Sequence, residues 1–213
     1  MNEKEYEEKI TELMKYANTV RDMFANLKPN DYSHTSFLFT QTGLIRLYAS
    51  FQAIYTLVAQ GYAIESIVLA RFIHEQLAYM YSLRLIDDLE EIDSLKVTKC
   101  IAKYKERIDY IGNVYGMTSE FAHLDMKFIN FYLKNVDFKN KRITVLNKFN
   151  DKEIGYTMLF TLVMTVELYL DMIFVFLDVD GLRNSNRTLS DNADQIKIDF
   201  KDLIERIKGI VNN

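Results

Sequence analysis

Residues that interrupt helices or cross-link chains are scarce in this sequence of 213 residues. It contains one proline, seven glycines and one cysteine, and it has no tryptophan. The lone Cys100 excludes an internal disulfide, and so little proline and glycine leaves long helices uninterrupted. No segment is typical of a flexible linker, so we expect a single domain over residues 1–213. Because no signal-peptide pattern is present at the N-terminus, a cytoplasmic protein is expected.

The overall composition is that of a globular protein, with 49% hydrophobic and 26% charged residues. A net charge of −4 argues against coating nucleic acid through overall charge, although it permits a local basic patch. The stretch 154–177 is long and apolar enough to span a bilayer, but it contains Glu167 and Asp171. Acidic residues are costly at a membrane centre. We therefore expect a buried central helix and no membrane partner.

Apolar residues spaced three and four apart predict an all-α fold, a bundle of about six helices. Asn150 and Glu153 resemble a capping box that opens the long apolar helix. Gly112 or Gly116 is expected to end the fourth helix, and Thr118 to cap a short helix over 119–124. Alternating residues near 128–149 predict a small hairpin or an irregular insertion. The predicted helices cover about 6–27, 33–60, 63–86, 89–114, 151–178 and 192–211.

Two polar patterns stand out among the apolar helices. Arg71 and Glu75 are four residues apart, as are Tyr115, Ser119 and His123, so each set can line one face of a helix. The face that carries Arg71 and Glu75 also carries small and apolar residues, which places the pair inside the bundle or at a cleft. Charge there is costly unless it is paired. We expect the two patterns to meet in one interior polar pocket.

The chemistry of these five side chains suits phosphate binding and proton transfer. In this interpretation Arg71 holds a phosphate, His123 is the general acid or base, and Glu75 orients one of them. Tyr115 and Ser119 contribute hydroxyl groups on the face of His123. The alternative interpretation is a structural ion pair between Arg71 and Glu75 that fixes helix register.

Metal signatures are weak in the sequence, and cofactor signatures are absent. The chain has three histidines, and no His-x-x-x-His pair occurs on one helix. No glycine-rich phosphate loop or nucleophile elbow is present, so no cofactor is expected. The least favoured hypothesis is a metal-dependent bundle that uses Glu75, His123, Glu167 and Asp171.

Basic residues are concentrated in two segments on either side of the Tyr115–His123 pattern. Phe131, Tyr132 and Phe138 lie among those of the second segment, which suits stacking on single-stranded RNA. A solvated helix face is the alternative interpretation. The candidate nucleic-acid-binding residues are Lys96, Lys99, Lys103, Arg107, Lys139, Lys141 and Arg142.

Both polar patterns resemble the signature of an uncharacterised bacterial all-helical family. Its pattern Ala-x5-Leu-x-Arg-x3-Glu, followed by Tyr-x3-Ser-x3-His, is similar to the residues at 63–75 and 115–123. The resemblance covers about 48–125 and implies a bundle distantly similar to HEPN-type proteins. Many of those are ribonucleases of toxin–antitoxin and phage-defence systems. The HEPN pattern places a histidine four to six residues after its arginine, whereas Arg71 is followed by His74 and then by His123.

The sequence leaves open whether the protein is an enzyme. One hypothesis is a cytosolic interaction or accessory module, acting in phage defence and forming a homodimer through apolar helix faces. The alternative is an RNA-directed nuclease or other phosphotransfer enzyme, whose ligand is RNA or another phosphate-containing molecule.

Overall fold

The computed structural model describes residues 35–84, 86–123, 133–137 and 139–145, most of 161–175, and single positions within 8–22 and 195–205. Described positions within 8–22, 161–175 and 195–205 are helical. Apart from one hairpin the described chain is helical, which confirms the all-α prediction. The bounded elements are α1 (Thr35–Ala59), α2 (Ala63–Leu83), α3 (Leu89–Asp93), α4 (Val97–Lys105), α5 (Ile111–Ala122), β1 (Leu133–Asp137) and β2 (Arg142–Val145).

Helix α2 occupies a central position, as its nearly continuous apolar sequence predicts. It packs against α1, α4 and α5. Ile73 and Leu77 on α2 are fully buried, and Ala70 is 1% exposed. At roughly 2 kcal/mol for each fully buried large apolar side chain, these contacts contribute substantially to the stability of the bundle.

The helical segment 161–175 is the second buried element. Leu168, Met172 and Ile173 are fully buried, which confirms the predicted buried helix. The Tyr169 hydroxyl donates to the Leu44 carbonyl at 3.1 Å, and the Tyr104 hydroxyl donates to the Leu168 carbonyl at 3.3 Å. These bonds satisfy hydroxyl groups that would be costly to bury unpaired. Within the described residues, no helix has the length and hydropathy required to cross a bilayer.

Helices α1 and α2 approach each other closely at Gly43. A Cβ atom added there would lie 2.5 Å from the Cε atom of Met80. The missing side chain of Gly43 therefore leaves room for the buried thioether. The turn between these helices uses Gly61, whose φ of 78° favours glycine, and the sequence places a break at that residue.

The prediction of one helix over 89–114 is wrong, because the structure divides this region among α3, α4 and α5. Asp88 caps α3 by accepting hydrogen bonds from the backbone of Glu90 at 2.7 Å and Glu91 at 3.3 Å. The Ser94 hydroxyl donates to the Glu91 carbonyl at 2.8 Å, and Lys96 is extended. Such local side-chain bonds compete with helix continuation, so α3 ends early.

The predicted helix ends at Gly112, Gly116 and Thr118 are also wrong. All three residues lie inside α5. The buried Thr118 hydroxyl donates within the helix, to the Val114 carbonyl at 2.9 Å and the Tyr115 carbonyl at 3.1 Å. It therefore does not cap a helix over 119–124. The apolar contact of α5 with α2 outweighs the weak helix propensity of its two glycines.

An antiparallel hairpin lies in the region 128–149, where alternation predicts a small hairpin or an irregular insertion. Val136 pairs with Ile143 and Asp137 with Arg142, and an irregularity lies between Leu133 and Val136. Asp137 accepts from the backbone of Asn140 at 3.1 Å and from its side-chain amide at 2.8 Å. Hydrogen bonds to Asn140 lower the pKa of the Asp137 carboxyl, as expected for bonds that favour the charged form.

Several predictions fall on residues outside those that the structure describes. They comprise the apolar seams of the first and last helices, the capping box of Asn150 and Glu153, and the aromatic residues Phe131, Tyr132 and Phe138.

A buried histidine joins α2 to the segment 161–175. His74 is fully buried, and its Nε2 atom lies 2.9 Å from the Thr165 hydroxyl. That hydroxyl donates its one hydrogen to the Thr161 carbonyl at 2.7 Å, so it must accept from Nε2–H of His74. The Nδ1 atom has no partner among the described residues. The imidazole is therefore neutral in this arrangement.

Acid should weaken the fold through His74. Burial lowers its pKa from 6.5 to about 3, so between these values the unfolded chain binds a proton that the folded chain rejects. The His74 contribution is complete above pH 6.5 and declines by roughly 1.4 kcal/mol per pH unit toward pH 3. Denaturant unfolding at pH 7 and pH 4 should show about 3 kcal/mol lost through this group. His74→Gln should reduce the dependence of the free energy of unfolding on pH, and the control His123→Gln should not. An equal dependence on pH in the wild type and in His74→Gln would contradict this assignment.

Candidate functional site

Helices α2 and α5 bring four of the five predicted site residues together. Arg71 and Glu75 lie one turn apart on α2, and Tyr115 lies on α5. His123 immediately follows the last residue of α5. Tyr115 contacts Glu75 while His123 contacts Arg71, so the two helices run in opposite directions at this point. We call Arg71, Glu75, Tyr115 and His123 the polar cluster.

The Arg71 guanidinium is the hub of the polar cluster, because each of its nitrogens has a different partner. Nε donates to Glu75 Oε1 at 3.1 Å. One terminal nitrogen lies 3.3 Å from His123 Nε2, and the other donates to the Tyr115 hydroxyl at 3.4 Å. The guanidinium carbon also lies 5.3 Å from the centre of the Tyr115 ring, within cation–π range. One side chain thus links three others.

Tyr115 closes the network by donating its hydroxyl hydrogen to Glu75 Oε1 at 3.1 Å. That oxygen accepts from both Arg71 and Tyr115. A carboxylate oxygen can accept two such bonds, and bonds to a charged acceptor are stronger than neutral ones. Glu75 therefore holds both the guanidinium and the phenol in place.

Partial exposure keeps the Arg71–Glu75 pair within reach of solvent. The side chains are 21% and 23% exposed, so the pair lies at a partly exposed edge and not in the predicted interior pocket. Burial acts to lower the pKa of Arg71, but contacts with Tyr115 and Glu75 raise it above its ordinary value. The guanidinium therefore stays positively charged, and solvent screening limits the stability that the ion pair provides.

His123 lies at the exposed end of α5. Its backbone N–H donates to the Ser119 carbonyl, in the last backbone hydrogen bond of the helix. Because a guanidinium has donors only, His123 Nε2 must accept from Arg71, and a neutral ring then carries its proton on Nδ1. In this contact the lone pair of Nε2 faces the Arg71 guanidinium. The placement at a helix end also explains why this residue is not interior.

Ser119 shares the helix face but does not join the network. Among the described residues, no hydrogen bond links its half-buried hydroxyl to Arg71, Glu75 or His123. Its backbone carbonyl instead accepts the last backbone hydrogen bond of α5. The structure thus assigns Ser119 a place beside the polar cluster rather than within it.

Glu167 and Asp171 belong to a different contact. Arg107 donates to the two oxygens of Asp171 at 3.0 Å and 2.9 Å, a bidentate arrangement. The side chain of Tyr110 is hydrogen bonded to Glu167, and burial and then this carboxylate raise the pKa of the phenol. Within the described chain no group of three potential metal ligands is found. Sequence analysis missed the pairs Arg107–Asp171 and Tyr110–Glu167, because no local pattern shows that residues so far apart in the chain face each other.

The candidate nucleic-acid-binding residues occupy separate places. Lys96 immediately precedes α4, while Lys99 and Lys103 are exposed along it. Arg107 is committed to Asp171, which also raises its pKa. The remaining candidates are exposed at the turn and the second strand of the hairpin: Lys139, Lys141 and Arg142.

Comparison of the chain with protein-family models, curated proteins and solved structures finds no match. The functional argument therefore depends on the geometry of the polar cluster.

Tyr115 and Glu75 should be energetically coupled. Tyr115→Phe removes the hydroxyl that donates to Glu75, and Glu75→Ala removes the acceptor. A double-mutant cycle on the free energy of unfolding should give a coupling of about 0.5 to 1.5 kcal/mol. The matched cycle of Tyr115→Phe with Glu65→Ala should give a value close to zero, since Glu65 lies ten residues before Glu75 on α2. Equal coupling in both cycles would show that the observed bond contributes nothing specific.

Proposed function

We propose that the polar cluster binds a phosphate group and that His123 transfers a proton there, making the protein an RNA-directed nuclease or related phosphotransfer enzyme. The observation that carries this proposal is the contact between Arg71 and His123. A terminal nitrogen of Arg71, which is always charged, lies 3.3 Å from Nε2 of His123, although the two residues are 52 positions apart in the sequence. This contact lies at an edge that solvent reaches.

Arg71 has the donors that phosphate recognition requires. A guanidinium has five N–H groups in a planar fork, which suits the oxygens of a phosphate. Glu75, His123 and Tyr115 use three of them, and the other two have no partner among the described residues. Glu75 neutralises part of the charge but also fixes the guanidinium. A phosphate would therefore meet an oriented fork.

His123 supplies the proton acceptor. When a phosphate draws the terminal N–H of Arg71 toward itself, Nε2 of His123 becomes accessible to a substrate hydroxyl. The imidazole takes the hydroxyl proton, the hydroxyl oxygen bonds to phosphorus, and the bond from phosphorus to the ester oxygen breaks. The departing oxygen takes a proton from the imidazolium or from water, which balances the reaction. In RNA the attacking group is the ribose 2′-hydroxyl.

RNA is the favoured substrate because exposed basic residues of the protein suit a phosphate backbone. Lys99 and Lys103 on α4 and Lys139 and Lys141 at the hairpin turn are exposed. The expected location is cytosolic. The sequence resemblance to a family distantly similar to HEPN-type proteins makes phage defence the proposed setting. The separation of Arg71 from His123 differs from the HEPN pattern, so the proposed mechanism uses contacts particular to this chain.

A second candidate is an interaction module without catalysis. The polar cluster satisfies its own charge, since Arg71 and Glu75 pair directly. Leu38 and Phe39 on α1 are 45% and 50% exposed, which favours an apolar contact with a second copy of the chain. In this case the only role of the polar cluster is to stabilise the packing of α5 against α2.

Substitution of Arg71 and His123 should separate the two functions. For an enzyme, Arg71→Met should weaken inorganic phosphate binding and lower RNA cleavage by about 100-fold, as expected when a charged contact and its orientation are lost. His123→Gln should lower cleavage by about 100-fold or more while phosphate binding changes little. Binding would be followed by NMR titration and cleavage with an end-labelled RNA oligomer.

The matched control is Arg46→Met, which removes an exposed arginine of α1 outside the polar cluster. It should leave both phosphate binding and cleavage unchanged. Full activity in His123→Gln would rule out the proton-transfer role. Absence of both phosphate binding and cleavage in the wild type would exclude the enzyme and favour the interaction module, whose signature is a dimer that dissociates in Phe39→Ala.

A further inference from the structure

We infer that a shallow groove beside the polar cluster binds a nucleobase of the substrate, and that guanine fits it best. The groove lies between α2 and α5 and has a volume of about 630 Å³. Such a volume is within the usual range for small-molecule sites. The inference rests on the proposal that Arg71 holds a phosphate, and it names the base attached to that phosphate.

The groove lies beside the polar cluster on both helices. Val68, in its lining, is three residues before Arg71 and so one helical turn away, and Phe121 and Ala122 directly precede His123. A ligand that lies in the groove can therefore extend toward the guanidinium and the imidazole. The polar cluster provides a cation at the edge of the groove.

Exposed apolar side chains line the groove. Val68 is 39% and Phe72 is 36% exposed, and Phe121 is half-buried. Flat apolar rings favour the π-face of a base, and stacking of this kind is typical of proteins that bind single-stranded nucleic acid. A nucleobase covering Val68 and Phe72 would remove that apolar area from water.

Glu65 provides a hydrogen-bond acceptor in the same groove. It is exposed, and its carboxylate has no hydrogen-bonding partner among the described residues. Glu65 precedes Arg71 by six residues, which corresponds to about 9 Å along the helix axis and about 120° around it. The groove thus has apolar side chains and one acceptor in its lining, and the Arg71 cation lies beside it. A nucleotide offers a phosphate, a flat base and a donor edge, which match these three features.

Guanine is the base that matches a carboxylate most fully. A carboxylate accepts two parallel hydrogen bonds, and guanine offers two adjacent donors, its N1–H and its N2 amino group. Adenine and cytosine present an amino group beside an acceptor nitrogen, and uracil presents a single N–H between two carbonyl groups. Hypoxanthine differs from guanine by the absence of the N2 amino group alone, so it isolates this contact.

Nucleotide titrations test the inference directly. GMP should bind about tenfold more tightly than IMP, as expected for the loss of one charge-assisted hydrogen bond. Its preference over AMP and CMP should be larger, because each presents an acceptor nitrogen to the carboxylate. Glu65→Gln should bring GMP and IMP to nearly equal affinity, and Phe72→Ala should weaken all the nucleotides by about tenfold. The matched controls, Glu90→Gln on α3 and Phe39→Ala on α1, should change neither result.

Guanosine, which has no phosphate, separates this inference from the proposed function. Guanosine binding that is lost in Glu65→Gln but retained in Arg71→Met supports the base site on its own, even if phosphate binding fails. GMP binding that depends on Arg71 but shows no preference over IMP overturns the base site and leaves the phosphate site intact. A groove that binds no nucleotide or nucleoside, or a Phe72→Ala variant that only dissociates a dimer, overturns the inference.

Discussion

The burial of helical segment 161–175 is the constraint on which the rest of the bundle depends. Most of its described residues are buried, and hydrogen bonds join it to the neighbouring helices inside the core. Tyr169 bonds to α1, and Thr165 accepts from His74 on α2. Arg107 and Tyr104 bond to the same segment from the region of α4. The segment thereby orients the helices that carry the candidate site.

Helix α2 places side chains both in the core and at the solvent-exposed edge, because adjacent residues of a helix point about 100° apart. His74 enters the dry core, where burial keeps it neutral. Glu75 faces the exposed edge and pairs with Arg71. One residue step thus separates an imidazole that cannot readily accept a proton from a carboxylate that organises a charged cluster. This arrangement lets the bundle support an ionic site without placing an unpaired charge in its core.

Much of this organisation follows from local sequence pattern. Helical periodicity indicates α1, α2 and the buried segment, and the four-residue spacing of Arg71 with Glu75 predicts their contact. Sequence cannot show which helix faces which, so the pairing of Arg107 with Asp171 was not predicted. It also misjudged the glycines of α5, because long-range packing against α2 outweighs local propensity. The sequence did not identify His74 as a core residue, because its burial depends on packing against residues that are distant in sequence.

The close approach of Gly43 to Met80 couples two helices through a flexible side chain. An added Cβ atom at position 43 would meet the end of the Met80 thioether, which has three rotatable bonds and can move aside. Substitutions at these two positions should therefore have non-additive effects on the free energy of unfolding, because the space that one residue needs depends on the rotamer of the other.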